Sequence, residues 1–209
     1  MKIILQFNSD DCLRLFNDLN NEELKDLDWD RKQGEWDKEA NPYYCPSLNE
    51  FKKYLREKNL GDTKCKYHLI RWKRFWASQL DERLFCHNGA IACEDETNPF
   101  WDFELNGTRF DLKSTRFPKG HEVPKNKEEK EKLIRDLYEK QSDNKNNIRE
   151  MVNNRLFLLH LENETRLKYP YKYEKIKDYI KNGFAPIDTK VTPEGYRFKY
   201  PVTADILIV

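Results

Sequence analysis

The chain of 209 residues carries 38 Lys and Arg against 37 Asp and Glu, a formal net charge of +1, with 36% charged, 38% hydrophobic and 13% aromatic residues. That aromatic content predicts a packed fold and excludes a disordered chain, and the charge balance excludes a protein that coats nucleic acid by bulk electrostatics. No apolar run approaches the roughly 18 residues that a spanning helix needs, and Met1 to Phe7 is too short for a signal peptide, so a cytoplasmic location without a membrane partner is expected.

The length fits one principal domain. Five cysteines at irregular spacing are expected as reduced thiols. Charge is unevenly spread: residues 1 to 50 hold twelve acidic and six basic side chains, and residues 51 to 85 hold ten basic and four acidic. The second stretch suits a polyanion, although solvated helices explain it better.

Residues 2 to 7 read as a strand, and Ser9-Asp10-Asp11 as a helix cap before Cys12 to Phe16. From Asn17 to Pro46 the chain is acidic, Asn-rich and broken by Gly34, Pro42 and Pro46, so loops with one short helix are expected. Trp29, Trp36, Tyr43 and Tyr44 are read as anchors of that loop to its own domain, in preference to a base-stacking surface. Ser47 to Glu50 has capping-box spacing and opens a short helix ending near Gly61. Asp62-Thr63 caps a long helix with Tyr67, Ile70, Trp72, Phe75, Trp76, Leu80 and Leu84 on its apolar stripe and Lys66, Arg71, Lys73, Arg74 and Arg83 as charges. Gly89 to Cys93 reads as a small buried strand.

The most informative stretch runs from Pro99 to Thr115. Two runs rich in aromatic and branched residues flank Asn106-Gly107, the dipeptide that best supplies two positive φ angles to a tight hairpin turn. If Leu105 faces Thr108, then Glu104 faces Arg109, Phe103 faces Phe110, Asp102 faces Asp111 and Phe100 faces Lys113. Alternation then puts Asp102, Glu104, Arg109, Asp111 and Lys113 on a charged face, and Trp101, Phe103, Leu105, Phe110 and Leu112 on an apolar one. Opposed aspartates repel at cross-strand separations of roughly 5 Å, and a divalent cation would turn that repulsion into coordination.

Asp102, followed after eight residues by Asp111-Leu112-Lys113, resembles the PD-(D/E)xK nuclease signature, in which a hairpin offers an acidic residue and a (D/E)xK triplet to one or two metal ions. The strict Pro-Asp dipeptide is absent; Pro99 lies three residues before Asp102. The resemblance implies a catalytic set of Asp102, Asp111 and Lys113. It also implies Mg²⁺ or Mn²⁺ held by Asp102, Asp111 and the Leu112 carbonyl, with Glu82 of the preceding helix, followed by Asp81, as a further ligand and Gln141 of the following helix as an accessory catalytic residue; for Glu82 and Asp81 a solvated helix face is the favoured reading. Nucleic-acid contacts are assigned to Arg116, Lys119, Lys125 and Arg74.

Beyond the hairpin, Pro124 to Val152 reads as one or two charged helices with Leu133, Ile134, Leu137, Tyr138, Ile148, Met151 and Val152 inward. Arg155 to Leu161 is a nearly continuous apolar run, expected as a central strand beside the hairpin. Tyr171 to Lys181 suits a helix stopped by Asn182-Gly183, and Ala204 to Val209 a terminal strand. The expected class is α/β, a mixed sheet flanked by helices. The resemblance, over roughly residues 65 to 161, implies a restriction-endonuclease-like core in 65–209 with 1–64 as an N-terminal helical and loop extension packed on it.

Cys65, His68, Cys86, His87 and Cys93 invite a zinc site but lack paired knuckles, and buried thiols explain them better. His121 and His160 each stand alone and are read as structural. The expected function is a metal-dependent nuclease acting on DNA, with RNA as second choice, in restriction, phage defence or repair; a homodimer is compatible with it. The alternative is a non-catalytic nucleic-acid-binding or protein-interaction module on the same scaffold.

Overall fold

The computed structural model describes residues 8–24, 27, 34–95, 98–139, 152–161, 169–192 and 197–209. The strand expected at 2–7 and Gln141, Ile148 and Met151 lie outside these residues. The chain divides into two compact units, Ile3–Arg83 and Leu84–Val209. The boundary expected at 64/65 lies in the first turn of the long helix (Asp62–His87), whereas the division falls near its C-terminal end, so most of that helix belongs to the N-terminal unit.

In the N-terminal unit, helix α1 (Ser9–Leu19) begins at Asn8, whose side chain accepts from the Asp11 amide while Asp11 accepts from the Asn8 amide. This reciprocal cap lies one residue ahead of the expected one and satisfies two otherwise orphan donors. Helix α2 (Leu48–Glu57) is capped by Ser47 as expected and buries Leu48, Phe51 and Leu55. Helix α3 (Asp62–His87) is 26 residues long and buries Tyr67, Ile70, Trp72, Trp76 and Leu80 within this unit.

The aromatic loop is tied to α3 within its own unit, with Trp36 against Tyr67 (5.5 Å) and Tyr43 against Phe75 (4.6 Å); Tyr44, expected as an anchor, is 74% exposed, and Trp29 lies outside the described residues. The Trp72 and Trp76 indoles donate to the carbonyls of Cys45 (2.6 Å) and Pro42 (2.9 Å), and the Tyr67 hydroxyl donates to Asp37 (2.6 Å). Each ring thereby buries apolar area while its polar tip finds a carbonyl or carboxylate.

The C-terminal unit receives α3 at a glycine cap. Gly89, at φ +106°, lets its own amide reach the Cys86 carbonyl (3.2 Å) and the Ala90 amide reach that of Phe85 (3.1 Å). This is a Schellman ending, which needs a left-handed residue after the last turn. Strand β1 (Ile91–Ala92) follows, shorter than expected and with Ile91 65% exposed; Ala90 and Cys93 are the buried residues of that segment.

Among the described residues a six-stranded sheet runs β1-β2-β3-β4-β6-β5, with β2 Phe103–Leu105, β3 Thr108–Arg116, β4 Arg155–His160, β5 Ile187–Val191 and β6 Tyr200–Ile208. The first three strands are antiparallel, β3, β4 and β6 are mutually parallel, and β5 closes the far edge antiparallel to β6. Helix α4 (Lys127–Glu139) connects β3 to β4, and helix α5 (Tyr169–Asp178), continued by a π-helical turn to Gly183, follows β4.

Every residue of β4 is buried, as a strand covered on both faces must be. Leu156 and Leu158 enter a core with Phe103, Phe110, Leu112, Ile176 and Leu207, while Phe157 and Leu159 enter another with Leu133, Ile134, Leu137, Tyr138 and Ile206. Strand β5 is not anticipated by the sequence reading. Its alternation depends on Thr189 being an inward residue, where the hydroxyl donates to Glu131 (2.8 Å). All five cysteines are free. No helix among the described residues is long and apolar enough to cross a membrane.

Candidate active site

Asn106 (φ +48°) and Gly107 (φ +79°) both occupy the left-handed region, as a type I′ turn demands. The ladder is Leu105 to Thr108, Glu104 to Arg109 and Phe103 to Phe110, the register expected from the turn. Phe103, Leu105, Phe110 and Leu112 are buried on one face, and Glu104 and Arg109 pair at 3.3 Å on the other.

The expected pairs beyond this point are not formed. The Asp102 amide donates to the Phe110 carbonyl (2.8 Å), although the ladder partner of Phe110 is Phe103. Two residues therefore oppose one, a β-bulge. The extra residue resets the alternation: Trp101, expected on the apolar face, lies with its ring 4.6 Å from the Arg109 guanidinium on the charged one. Asp102 is accordingly no ladder partner of Asp111, and Lys113 pairs with Phe157 of β4 in place of Phe100.

Freed from the ladder, the Asp102 carboxylate accepts the Leu112 amide (2.8 Å). It substitutes for the carbonyl that a continued β2 would have offered to that amide. The segment before Asp102 is pinned too, since the Asn153 side chain donates to the Pro99 carbonyl (3.0 Å).

Asp111 changes neighbours at the same place. Its amide donates to the Asn154 carbonyl (2.9 Å), opening the parallel ladder with β4. Lys113 Nζ lies 2.8 Å from Asp111 Oδ1, and Arg155 Nε lies 3.4 Å from Oδ2. The second contact is an ion pair longer than a hydrogen bond. The Arg155 guanidinium also covers the Tyr138 ring at 4.8 Å, and the Tyr138 hydroxyl donates to the Asn153 carbonyl (2.7 Å).

Burial raises the Asp111 carboxyl above the ordinary aspartate range. The Lys113 ammonium opposes that rise, the nearby charge of Asp102 adds to it, and Arg155 opposes it less strongly. The two aspartates thus feel one another without being ladder partners.

Asp102, Asp111, Leu112 and Lys113 are brought together. Arg116 is exposed at the end of β3, and Lys119 and Lys125 are exposed between β3 and α4. Glu82 (3% exposed) lies on α3 in the N-terminal unit beside Asp81 (0%), so neither belongs to a solvated helix face; Arg74 of the same helix is exposed. Gln141 falls outside the described residues. Among the described residues no three His, Cys, Asp and Glu side chains converge.

The oxygens present suit Mg²⁺, which takes one or two carboxylates and retains water for the rest of its shell. Arg155, Tyr138 and Asn153 are the members of the site that sequence reading passes over. The available signal is an arginine followed directly by four apolar strand residues, because a buried guanidinium requires a carboxylate partner. Comparison with protein-family models, with curated proteins and with solved structures gives no match.

Proposed function

We propose that the chain is a metal-dependent nuclease of the PD-(D/E)xK type, hydrolysing phosphodiesters of DNA. The observation carrying this reading is that the Asp102 carboxylate accepts the Leu112 amide (2.8 Å) while Lys113 Nζ sits 2.8 Å from Asp111, so the three groups meet over the Asp111-Leu112-Lys113 triplet. The element order supports it as well: a helix, three strands, a helix, a strand, then a helix and, past β5, a terminal strand, which is the order that the resemblance implies.

Asp102, Asp111 and the Leu112 carbonyl would hold Mg²⁺ or Mn²⁺, which when bound supplies a Lewis acid for the phosphoryl oxygen and a water of lowered pKa. Asp102 closes the end of the hairpin remote from its turn by holding the Leu112 amide. Lys113, on a strand fixed by both neighbours, orients the attacking water and offsets charge developing on the phosphate. Exposed Arg116, Lys119 and Lys125 suit backbone phosphates and would make affinity salt-dependent.

The test is Mg²⁺-dependent cleavage of plasmid and oligonucleotide DNA by wild type and Lys113→Ala. Loss of cleavage with an unchanged circular-dichroism spectrum is expected; retained cleavage overturns the assignment. A second reading, a binding module without turnover, is favoured by the ion-pairing of both Asp111 oxygens, as expected where Asp111 has only a structural role. Calorimetric titration with Mn²⁺ separates the two: binding lost in Asp111→Asn supports the nuclease, and no binding supports the module.

A further inference from the structure

The two cations on Asp111 are not equivalent. Lys113 approaches Oδ1 from a side chain 38% exposed, on a flexible stem. Arg155 approaches Oδ2 from a side chain 5% exposed, stacked on Tyr138, which is itself 1% exposed and tied to the Asn153 carbonyl. The ammonium is compact and can swing into water, while the guanidinium stays charged at any ordinary pH and is boxed in.

In two-metal nuclease sites the ions lie roughly 3.5–4 Å apart and a shared carboxylate gives one oxygen to each. Here Oδ2 of Asp111 is already committed to a fixed monocation. A second divalent ion on that oxygen would face the buried guanidinium with little water to screen the repulsion. Oδ1 differs, because its partner can leave.

Resting on the nuclease reading, we infer that this site takes a single divalent cation, with Arg155 as the permanent second positive charge on Asp111 and Lys113 as the resident that the ion displaces from Oδ1. The displaced ammonium remains on the same face of β3, within reach of the water it is to orient. Arg155 touches neither water nor phosphate in this scheme; it is a positioning residue acting through Asp111.

Mn²⁺ titration of the full chain, followed by the electron paramagnetic resonance signal of the free ion, counts bound ions without reference to cleavage. One equivalent is expected for wild type and for Arg155→Lys, and none for Asp111→Asn. Lys113→Met is expected to bind that ion about fivefold more tightly, the gain from removing a partly exposed competitor. Two equivalents in wild type, both lost in Asp111→Asn, would overturn the inference and leave the nuclease reading standing. No Mn²⁺ bound by wild type would remove both, and unchanged or weaker binding by Lys113→Met would overturn the displacement.

Discussion

Asp111 on β3 and Asp205 on β6 are both aspartates of parallel core strands, both paired with a lysine, yet they are held by different kinds of donor. Asp205 is 0% exposed and accepts the Ala185 amide (2.9 Å) and the Ile206 amide (2.7 Å). Lys130 of α4 pairs with it and also donates to the Ala185 carbonyl (3.0 Å). Its charge, after burial, helps push the Tyr179 hydroxyl far above the usual tyrosine range. Asp111 has side-chain cations where Asp205 has backbone amides, and its side chain retains 13% exposure. A carboxylate fixed by backbone donors ties elements together, whereas one held by an exposed ammonium can be handed to another cation.

Breaking that contrast should cost most at Asp205. Asp205→Asn leaves the Lys130 ammonium facing a neutral amide beside a buried strand, and a loss of about 3–5 kcal/mol in urea unfolding is expected. Asp111→Asn should cost less, because Lys113, 38% exposed, can turn its ammonium into water and no backbone amide loses its acceptor, which leaves the buried Arg155 guanidinium as the main penalty. Equal losses would place both aspartates in the same structural role. Lys113→Ala should lower cleavage by about 10²-fold or more, roughly 3 kcal/mol of barrier, while changing the free energy of urea unfolding by less than about 1 kcal/mol.

A smaller effect belongs to the turn. Gly107→Ala forces a Cβ into a φ of +79°, and a loss of about 1 kcal/mol is expected by thermal or urea unfolding. The smallest concerns pH. Since the folded, metal-free chain holds the Asp111 proton more tightly than the unfolded chain does, this group's contribution to stability is greatest in acid. It declines as pH rises from the ordinary value of 3.8 through the raised one. Asp111→Asn should flatten that part of the stability profile, measured as urea midpoints across the acid range.

What could be read from the sequence follows from how local its cause is. The Asn106-Gly107 turn, the register through Phe103 and Phe110, the buried β4 and the stripe of α3 each rest on a few adjacent residues or one strong period. The bulge at Asp102 does not, since its stability comes from Asn153 and from the Leu112 amide, partners that pattern alone cannot supply. For the same reason pattern alone makes Asp102 and Asp111 a facing pair and puts Trp101 on the apolar face. Arg155 stayed unread because its partner is 44 positions away, at 111, and strand periodicity says nothing of which strand will lie alongside.

That separation orders events in time. The Asp102 contact to Leu112 spans 10 residues and belongs to a hairpin, a unit that closes in about 1–10 μs, while parallel pairing of β3 with β4 must first close the long loop through α4. The two carboxylates and Lys113 therefore come together before the guanidinium that completes the pairing of Asp111 arrives. Early folding of this region is a race between a repulsive hairpin and the docking of a distant strand, and acid or a divalent ion in the refolding buffer should favour the hairpin.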